Sequence, residues 1–97
     1  MAASDPQHDP VVTGLRERIA GLDRAILAAV NERIGLVAEL RTHKLSHGWD
    51  FVDARREAEL LDALAAANGG PLGEEGLREL FGTVLAVTKR EVAGEAP

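Results

Sequence analysis

The sequence predicts an all-α protein built from one long and two shorter helices. Apolar residues recur at alternating spacings of three and four across residues 11–47, and no proline interrupts that segment. The connection at 49–52 and the turn-forming run at 68–71 separate it from two shorter amphipathic segments. No segment shows the alternation typical of a half-buried strand. We therefore expect one helical domain over residues 10–93, with flexible tails at 1–9 and 94–97.

The first helix is predicted to begin at Pro10, because Asp9 suits the N-cap and proline suits the first helical position. Its apolar face consists of Leu15, Ile19, Leu22, Ile26, Val30, Val37 and Leu40. Gly48 can end the helix in the left-handed conformation. The helix would then contain some 35 residues and extend roughly 50 Å, against an average of about 11–12 residues in globular proteins.

The two remaining helices have separate start signals. Asp53 is a candidate N-cap for the second helix, and the charges of Glu74 and Glu75 favour the start of the third. The second helix carries Leu60, Leu61 and Leu64, and the third carries Leu77, Leu80, Phe81, Val84, Leu85, Val87 and Val92. These short helices cannot cover the long apolar stripe of the first.

A second copy of the chain can cover that stripe, so we predict an intertwined homodimer whose long helices pack side by side. The alternative is an extended coiled coil, which requires sustained heptads. The break at 68–71 and the separately started third helix count against it.

Composition excludes several function classes. The chain has 97 residues, 11 Lys+Arg and 16 Asp+Glu, for a net charge of −5, which disfavours nucleic-acid binding, and its 3% of aromatic residues cannot form a stacking platform. It has no cysteine, and His43 and His47 lack a third metal ligand nearby in sequence. No apolar run approaches a membrane span, and no signal pattern is present, so we expect a cytoplasmic protein without a metal.

Two basic residues occupy the apolar side of the long helix. Arg33 continues the seven-residue row of Ile19, Ile26 and Leu40, and Lys44 returns to within about 20° of it after eleven residues. The two side chains share a face about 16 Å apart along the axis and could converge on one ligand. The alternative is that both extend to solvent or pair with acids.

Polar residues elsewhere form a second group of candidates. Asp53, Arg56 and Glu57 share a face at the start of the second helix, although a cap, a surface arginine and a first-turn glutamate would look the same. Thr88 lies on the apolar line of the third helix. Arg16 points about 100° away from Arg33, so only a partner helix could bring it to the same site.

Taken together, these residues resemble the all-helical AroQ-type chorismate mutases over residues 12–92. The similar elements are Leu15-Arg16-Glu17-Arg18-Ile19, Leu22-Asp23, Asn31-Glu32-Arg33, Lys44 and Asp53-x-x-Arg56-Glu57. The stretch 68–71 followed by Leu80-Phe81 is similar to mutase domains that are fused to, or act with, the first synthase of the shikimate pathway.

The resemblance implies an intertwined dimer with two active sites for chorismate. Arg33 and Lys44 would bind its carboxylates, Lys44 would also reach the ether oxygen, and Arg16 would come from the other subunit. Asp53 and Glu57 would hold the ring hydroxyl, with Arg56 in the pocket wall. Thr88 falls where a small hydroxyl residue commonly contacts a carboxylate.

The sequence departs from the family at one position of the last helix. A Gln or Glu usually supplies a second hydrogen bond to the ether oxygen, and an ungapped alignment places Val92 there. Lys89 or Glu91 could substitute if the helix is shifted. We therefore expect a modest mutase, or one that a shikimate-pathway synthase activates.

The reaction implied is the Claisen rearrangement of chorismate to prephenate, in aromatic amino-acid biosynthesis. It needs no nucleophile and no cofactor, and the sequence offers neither. Isochorismate pyruvate-lyase and 4-amino-4-deoxychorismate mutase are the sibling activities. A non-catalytic metabolite-binding module and a purely structural helical dimer are the alternatives of another class.

Overall fold

Residues 5–94 are described by the structure, a computed structural model, and they form three α-helices and one short 3-10 turn. Helix α1 runs Pro10–Ser46, α2 runs Ala54–Ala67 and α3 runs Glu74–Gly94. No strand occurs among these residues. The predicted fold class and the order of one long and two shorter helices are confirmed.

Helix α1 begins where the sequence predicts. The Asp9 Oδ1 atom accepts hydrogen bonds from the backbone N–H groups of Val11 and Val12 at 2.8 and 3.1 Å. Pro10, the first helical residue, has no N–H group that would need a partner. The 37 residues of the helix extend about 55 Å.

The two predicted tails overlap the described residues only in part. Residues 6–8, expected to be flexible, form a 3-10 turn that Asp5 caps. Gly94 is the last residue of α3, and residues 1–4 and 95–97 lie outside the described residues.

A left-handed glycine ends α1 and redirects the chain. Gly48 has φ +72°. The Trp49 N–H donates to the Lys44 carbonyl at 2.9 Å, and the Gly48 N–H donates to the Leu45 carbonyl at 3.1 Å. This pair of bonds is a Schellman motif, and it satisfies carbonyls that the helix end would leave without partners.

The cap of α2 also matches its prediction. The Asp53 Oδ1 atom accepts from the Arg56 N–H at 3.1 Å, which satisfies one of the free N–H groups of the first turn. After α2, the Asn68 side chain accepts from the Gly70 N–H at 2.9 Å, and Gly70 has φ +74°. These interactions build the turn that leads to α3.

The chain divides into two compact units, one ending at Glu32 and one starting at Arg33. The first unit contains the N-terminal part of α1, and its large apolar side chains are exposed. They are Val11, Leu15, Ile19, Leu22, Ile26 and Leu27. In residues 5–94 no helix combines the length and the apolar character that crossing a membrane requires.

The second unit contains the end of α1 together with α2 and α3, and α2 packs on α3. Leu77, Thr88 and Val92 of α3 are buried. Arg78 of α3 donates to Asp62 of α2 at 3.0 Å, and this hydrogen bond raises the pKa of the Arg78 guanidinium above its ordinary value. The ion pair therefore links the two helices.

We predict that Gly48→Ala destabilises the fold by about 1 kcal/mol, because alanine is strained at a positive φ. The matched control is Gly82→Ala on α3, where φ is not positive and no atom lies within 4 Å of an added Cβ. Alanine has the higher helix propensity, so that change should be neutral or stabilising by up to about 1 kcal/mol. Urea denaturation measures both, and equal effects of the two changes would contradict the role of the glycine cap.

Candidate active site

A cleft of about 310 Å³ lies in the second unit, within the size range of small-molecule sites. Its apolar lining residues are Val37, Leu40, Phe51, Val52, Leu60 and Leu85. Its polar lining residues are Arg33, Lys44, Asp53, Arg56, Glu57, Thr88 and Lys89. The end of α1, the connection after it, α2 and α3 all contribute, so the cleft depends on tertiary packing.

Arg33 is held by α3. Its NH1 group donates to Thr88 Oγ1 at 2.8 Å, and the Thr88 hydroxyl in turn donates to the Val84 carbonyl at 2.7 Å. Thr88 is only 2% exposed. A single NH group of the guanidinium is used in this bond, so the remaining donors of Arg33 can bind an anion in the cleft.

Lys44 is held by the connection that follows α1. Its Nζ atom donates to the Phe51 carbonyl at 3.2 Å, and its own backbone carbonyl accepts the Trp49 N–H in the Schellman motif. The helix cap therefore fixes Lys44 in two ways. It binds the Lys44 backbone carbonyl, and it turns the chain so that the Phe51 carbonyl accepts from the Lys44 side chain. An ammonium has three donors, so two remain for a ligand.

The first turn of α2 supplies a carboxylate and a guanidinium. The Asp53 Oδ1 atom is engaged in the helix cap. Arg56 is exposed, and its NH1 atom lies 3.9 Å from Glu59 Oε2. Arg56 lines the cleft and Glu59 does not, so this ion pair joins the site to the exposed surface of α2.

Glu57 of α2 and Lys89 of α3 form the closest ion pair of the cleft. The Lys89 Nζ atom donates to Glu57 Oε1 at 2.9 Å, and the Lys89 and Glu57 side chains are 41% and 25% exposed. The pair joins opposite walls of the same site.

The cleft is strongly cationic in an acidic chain. Four basic side chains, Arg33, Lys44, Arg56 and Lys89, face two carboxylates, Asp53 and Glu57, which leaves a formal charge of +2. The chain as a whole carries −5. Apolar walls raise the strength of these charges toward a bound ion, so the arrangement favours a small dianion with an apolar body.

Six of the eight residues predicted for the site line the cleft: Arg33, Lys44, Asp53, Arg56, Glu57 and Thr88. Arg16 is exposed in the first unit and does not line it. Val92 is 2% exposed and does not line it either. It lies one turn beyond Thr88, and its side chain is buried in the fold instead of facing the cleft.

The structure adds residues that sequence reasoning did not place in the site. The sequence offers Lys89 only as a substitute for Val92, and it lines the cleft, whereas Glu91 is exposed and does not. Phe51 and Val52 come from the connection, and Leu85 from α3. The spacing of Leu85, Thr88 and Lys89 at i, i+3 and i+4 was the available signal, because such residues share a helix face.

Metal ligation has no support in the geometry of residues 5–94, which contain no group of three or more His, Cys, Asp or Glu side chains suited to holding an ion. His47 instead stacks on Trp49 at the end of α1, with ring centroids 4.5 Å apart, and the His43 ring lies tilted against His47 at 4.4 Å.

Comparison with known proteins gives one family and two similar structures, and both point to the same class of enzyme. Residues 15–92 match the family described as chorismate mutase type II. Two solved structures of a chorismate mutase from Thermus thermophilus are similar. Form II has a TM-score of 0.82 and 30% identity, covering 87% of this chain and 96% of that chain. Form I has a TM-score of 0.78 and 32% identity, covering 79% and 96%. No curated protein sequence matches.

We predict that Thr88→Val lowers the free energy of unfolding by about 1 kcal/mol, because Arg33 loses its acceptor without a change of side-chain shape. Thr88→Ser keeps the hydroxyl and should cost less. The matched control is Thr83→Val, since Thr83 makes the same kind of bond to Glu79 on an exposed part of α3. Thermal denaturation compares the three, and equal losses for Thr88→Val and Thr83→Val would contradict the Arg33–Thr88 link.

Proposed function

Because the chain belongs to the chorismate mutase type II family, we propose that its cleft binds chorismate and converts it to prephenate. The observation that carries the proposal is the formal charge of +2 in a site with apolar walls. Chorismate has two carboxylates on a small ring with an enolpyruvyl ether, so its charge and its body both match the cleft.

Arg33 is proposed to bind one carboxylate. Its hydrogen bond to Thr88 fixes the guanidinium before the ligand arrives, and a guanidinium meets a carboxylate with two parallel hydrogen bonds. A preformed grip of this kind lowers the entropic cost of holding the folded, reactive conformer. The Thr88 hydroxyl donates its proton to the Val84 carbonyl, so its hydrogen would have to rotate away from that carbonyl to bind the same carboxylate.

Lys44 is proposed to act on the reacting bond. In the rearrangement the ether C–O bond breaks while a C–C bond forms in the same molecule, and negative charge develops on the ether oxygen. An ammonium held by the Phe51 carbonyl can donate to that oxygen. Loss of one such preorganised donor typically lowers the rate by about 10²–10³.

Asp53 and Glu57 are proposed to hold the ring hydroxyl, with Arg56 supporting the pocket wall. The two carboxylates are the acceptors that line the cleft on α2. A hydroxyl donor on the ring would bind there and set the orientation of the ring against Arg33 and Lys44. The rearrangement transfers no proton, so these residues need only bind the substrate and polarise its ether bond.

The working unit is proposed to be a homodimer in which Arg16 comes from the partner. The support is the exposed apolar stripe of the first unit: Leu15 is 49% exposed, Ile19 56%, Leu22 65% and Ile26 61%. Burial of such side chains is worth about 1.5–3 kcal/mol each. A partner helix lying on this stripe would also bring its own Arg16 toward a site.

Three further expectations belong with this function and stay predictions: a cytoplasmic location, modest activity alone, and activation by a shikimate-pathway synthase. Modest activity is supported by Val92, whose side chain has no donor for the ether oxygen and lies outside the cleft, and by the bond that Lys89 makes to Glu57.

We predict that the purified protein consumes chorismate and forms prephenate, and that Arg33→Ala and Lys44→Ala each lower kcat/KM by about 10²–10³. The control Arg55→Ala removes an exposed cation of α2 that pairs with Glu59. Its effect should stay within about twofold. The assay is run with and without the synthase, and a wild-type protein inactive in both would contradict the proposal.

The same assay separates the alternatives. Release of pyruvate from isochorismate would identify an isochorismate pyruvate-lyase. Preferred turnover of 4-amino-4-deoxychorismate would identify a 4-amino-4-deoxychorismate mutase. A metabolite-binding module would show a ligand-dependent rise in Tm without turnover, since a ligand at 100 times its Kd stabilises a fold by about 2.7 kcal/mol. A structural dimer would show neither.

Shared sites predict complementation between two inactive variants. Arg16→Ala and Arg33→Ala subunits, mixed at equal amounts by co-refolding, should form heterodimers that have one site with both arginines intact. Random pairing then restores about a quarter of the wild-type activity. Each variant alone, refolded in the same way, is the control. Activity no higher than that of the separate variants would contradict the contribution of Arg16 in trans.

A further inference from the structure

The ion pair between Glu57 and Lys89 occupies the part of the cleft where the ring substituent of the ligand would bind. The Lys89 Nζ and Glu57 Oε1 atoms are 2.9 Å apart. The bond uses the Oε1 atom of Glu57, so the Oε2 atom of Glu57 can accept a hydrogen bond from a ligand.

Stability alone does not account for the position of Lys89. An ion pair that retains this much exposure contributes little to folding. Lys89 also adds a positive charge to a cleft that contains Arg33 and Lys44. The Glu57 carboxylate compensates this charge locally, so the position of Lys89 is tied to Glu57.

We propose that Lys89 is a specificity-determining positioning residue, which makes the cleft select a ring hydroxyl over a protonated ring amine at Glu57. The inference rests on the proposed function, because it concerns the substituent that Glu57 holds there.

The physical reason is charge compensation. Lys89 fixes the Glu57 carboxylate and neutralises it, so the pair offers a hydrogen-bond acceptor but no net negative charge. A hydroxyl needs only an acceptor. A protonated amine needs a counter-charge, and at Glu57 it would lie a few ångströms from a second ammonium, a repulsion that low-dielectric walls strengthen. Selectivity then arises from a repulsive element as well as an attractive one.

The test compares chorismate and 4-amino-4-deoxychorismate as substrates. It also compares their analogues with a reduced enolpyruvyl double bond, which bind without rearranging. The selectivity is the ratio of kcat/KM values for the substrates, and of Kd values from calorimetry for the analogues. Wild type should favour the hydroxyl ligand. Lys89→Met keeps the length of the side chain and removes its charge, so both ratios should move toward the amine by about tenfold or more.

Three variants serve as controls. Lys89→Arg keeps the charge and should keep both ratios within about threefold of wild type. Arg90→Met removes a cation from the adjacent, exposed position of α3, outside the cleft, and should leave them unchanged. Lys89→Gln replaces Lys89→Met if the latter does not fold, as judged by circular dichroism.

The outcomes separate the inference from the function on which it rests. Unchanged ratios in folded Lys89→Met or Lys89→Gln would overturn the inference, as would a wild-type preference for the amine. A shifted Kd ratio in a protein that does not convert chorismate would overturn the proposed function and support the role of Lys89. Failure of the wild type to bind either analogue would overturn both.

Discussion

The four positive charges of the cleft repel each other, and the acceptors that compensate this repulsion determine how the rest of the site is arranged. Each of its four cations lies near an acceptor: Arg33 near Thr88, Lys44 near the Phe51 carbonyl, Arg56 near Glu59 and Lys89 near Glu57. Two of these acceptors are uncharged and two are carboxylates. The cleft therefore keeps a net positive charge for a ligand while hydrogen bonds orient three of the four cationic groups, those of Arg33, Lys44 and Lys89.

The end of α1 has the largest share in this arrangement, because it serves the fold and the site together. The left-handed Gly48 closes the helix through the carbonyls of Lys44 and Leu45. The chain then turns so that the Phe51 carbonyl meets the Lys44 side chain and Asp53 can cap α2. The conformation of Gly48 thus determines where α1 ends, how Lys44 is held and where Asp53 begins α2.

Local signals were sufficient for the helices and for the faces that Arg33 shares with Lys44 and Asp53 shares with Glu57, and the resemblance to a family joined these faces in one site. Asp9, Gly48 and Asp53 mark helix ends by side-chain and backbone chemistry that acts within a few residues, and each was predicted correctly. Arg33 stood out because a guanidinium on an apolar line is costly. It was harder to predict whether Lys89 or Val92 lines the cleft, because several residues in adjacent turns of α3 lie near the same helix face. Only packing selects which of them meets the cleft.

The sequence by itself determined the all-α fold class and the three helices with their caps, because periodicity and capping depend on near neighbours. The six residues that line the cleft were expected at one site through the resemblance to a family. The tertiary structure decided which wall each residue occupies. Thr88 lies 55 positions from Arg33 and Lys89 lies 32 positions from Glu57. Pairings across such separations depend on how helices pack, and no local pattern encodes them.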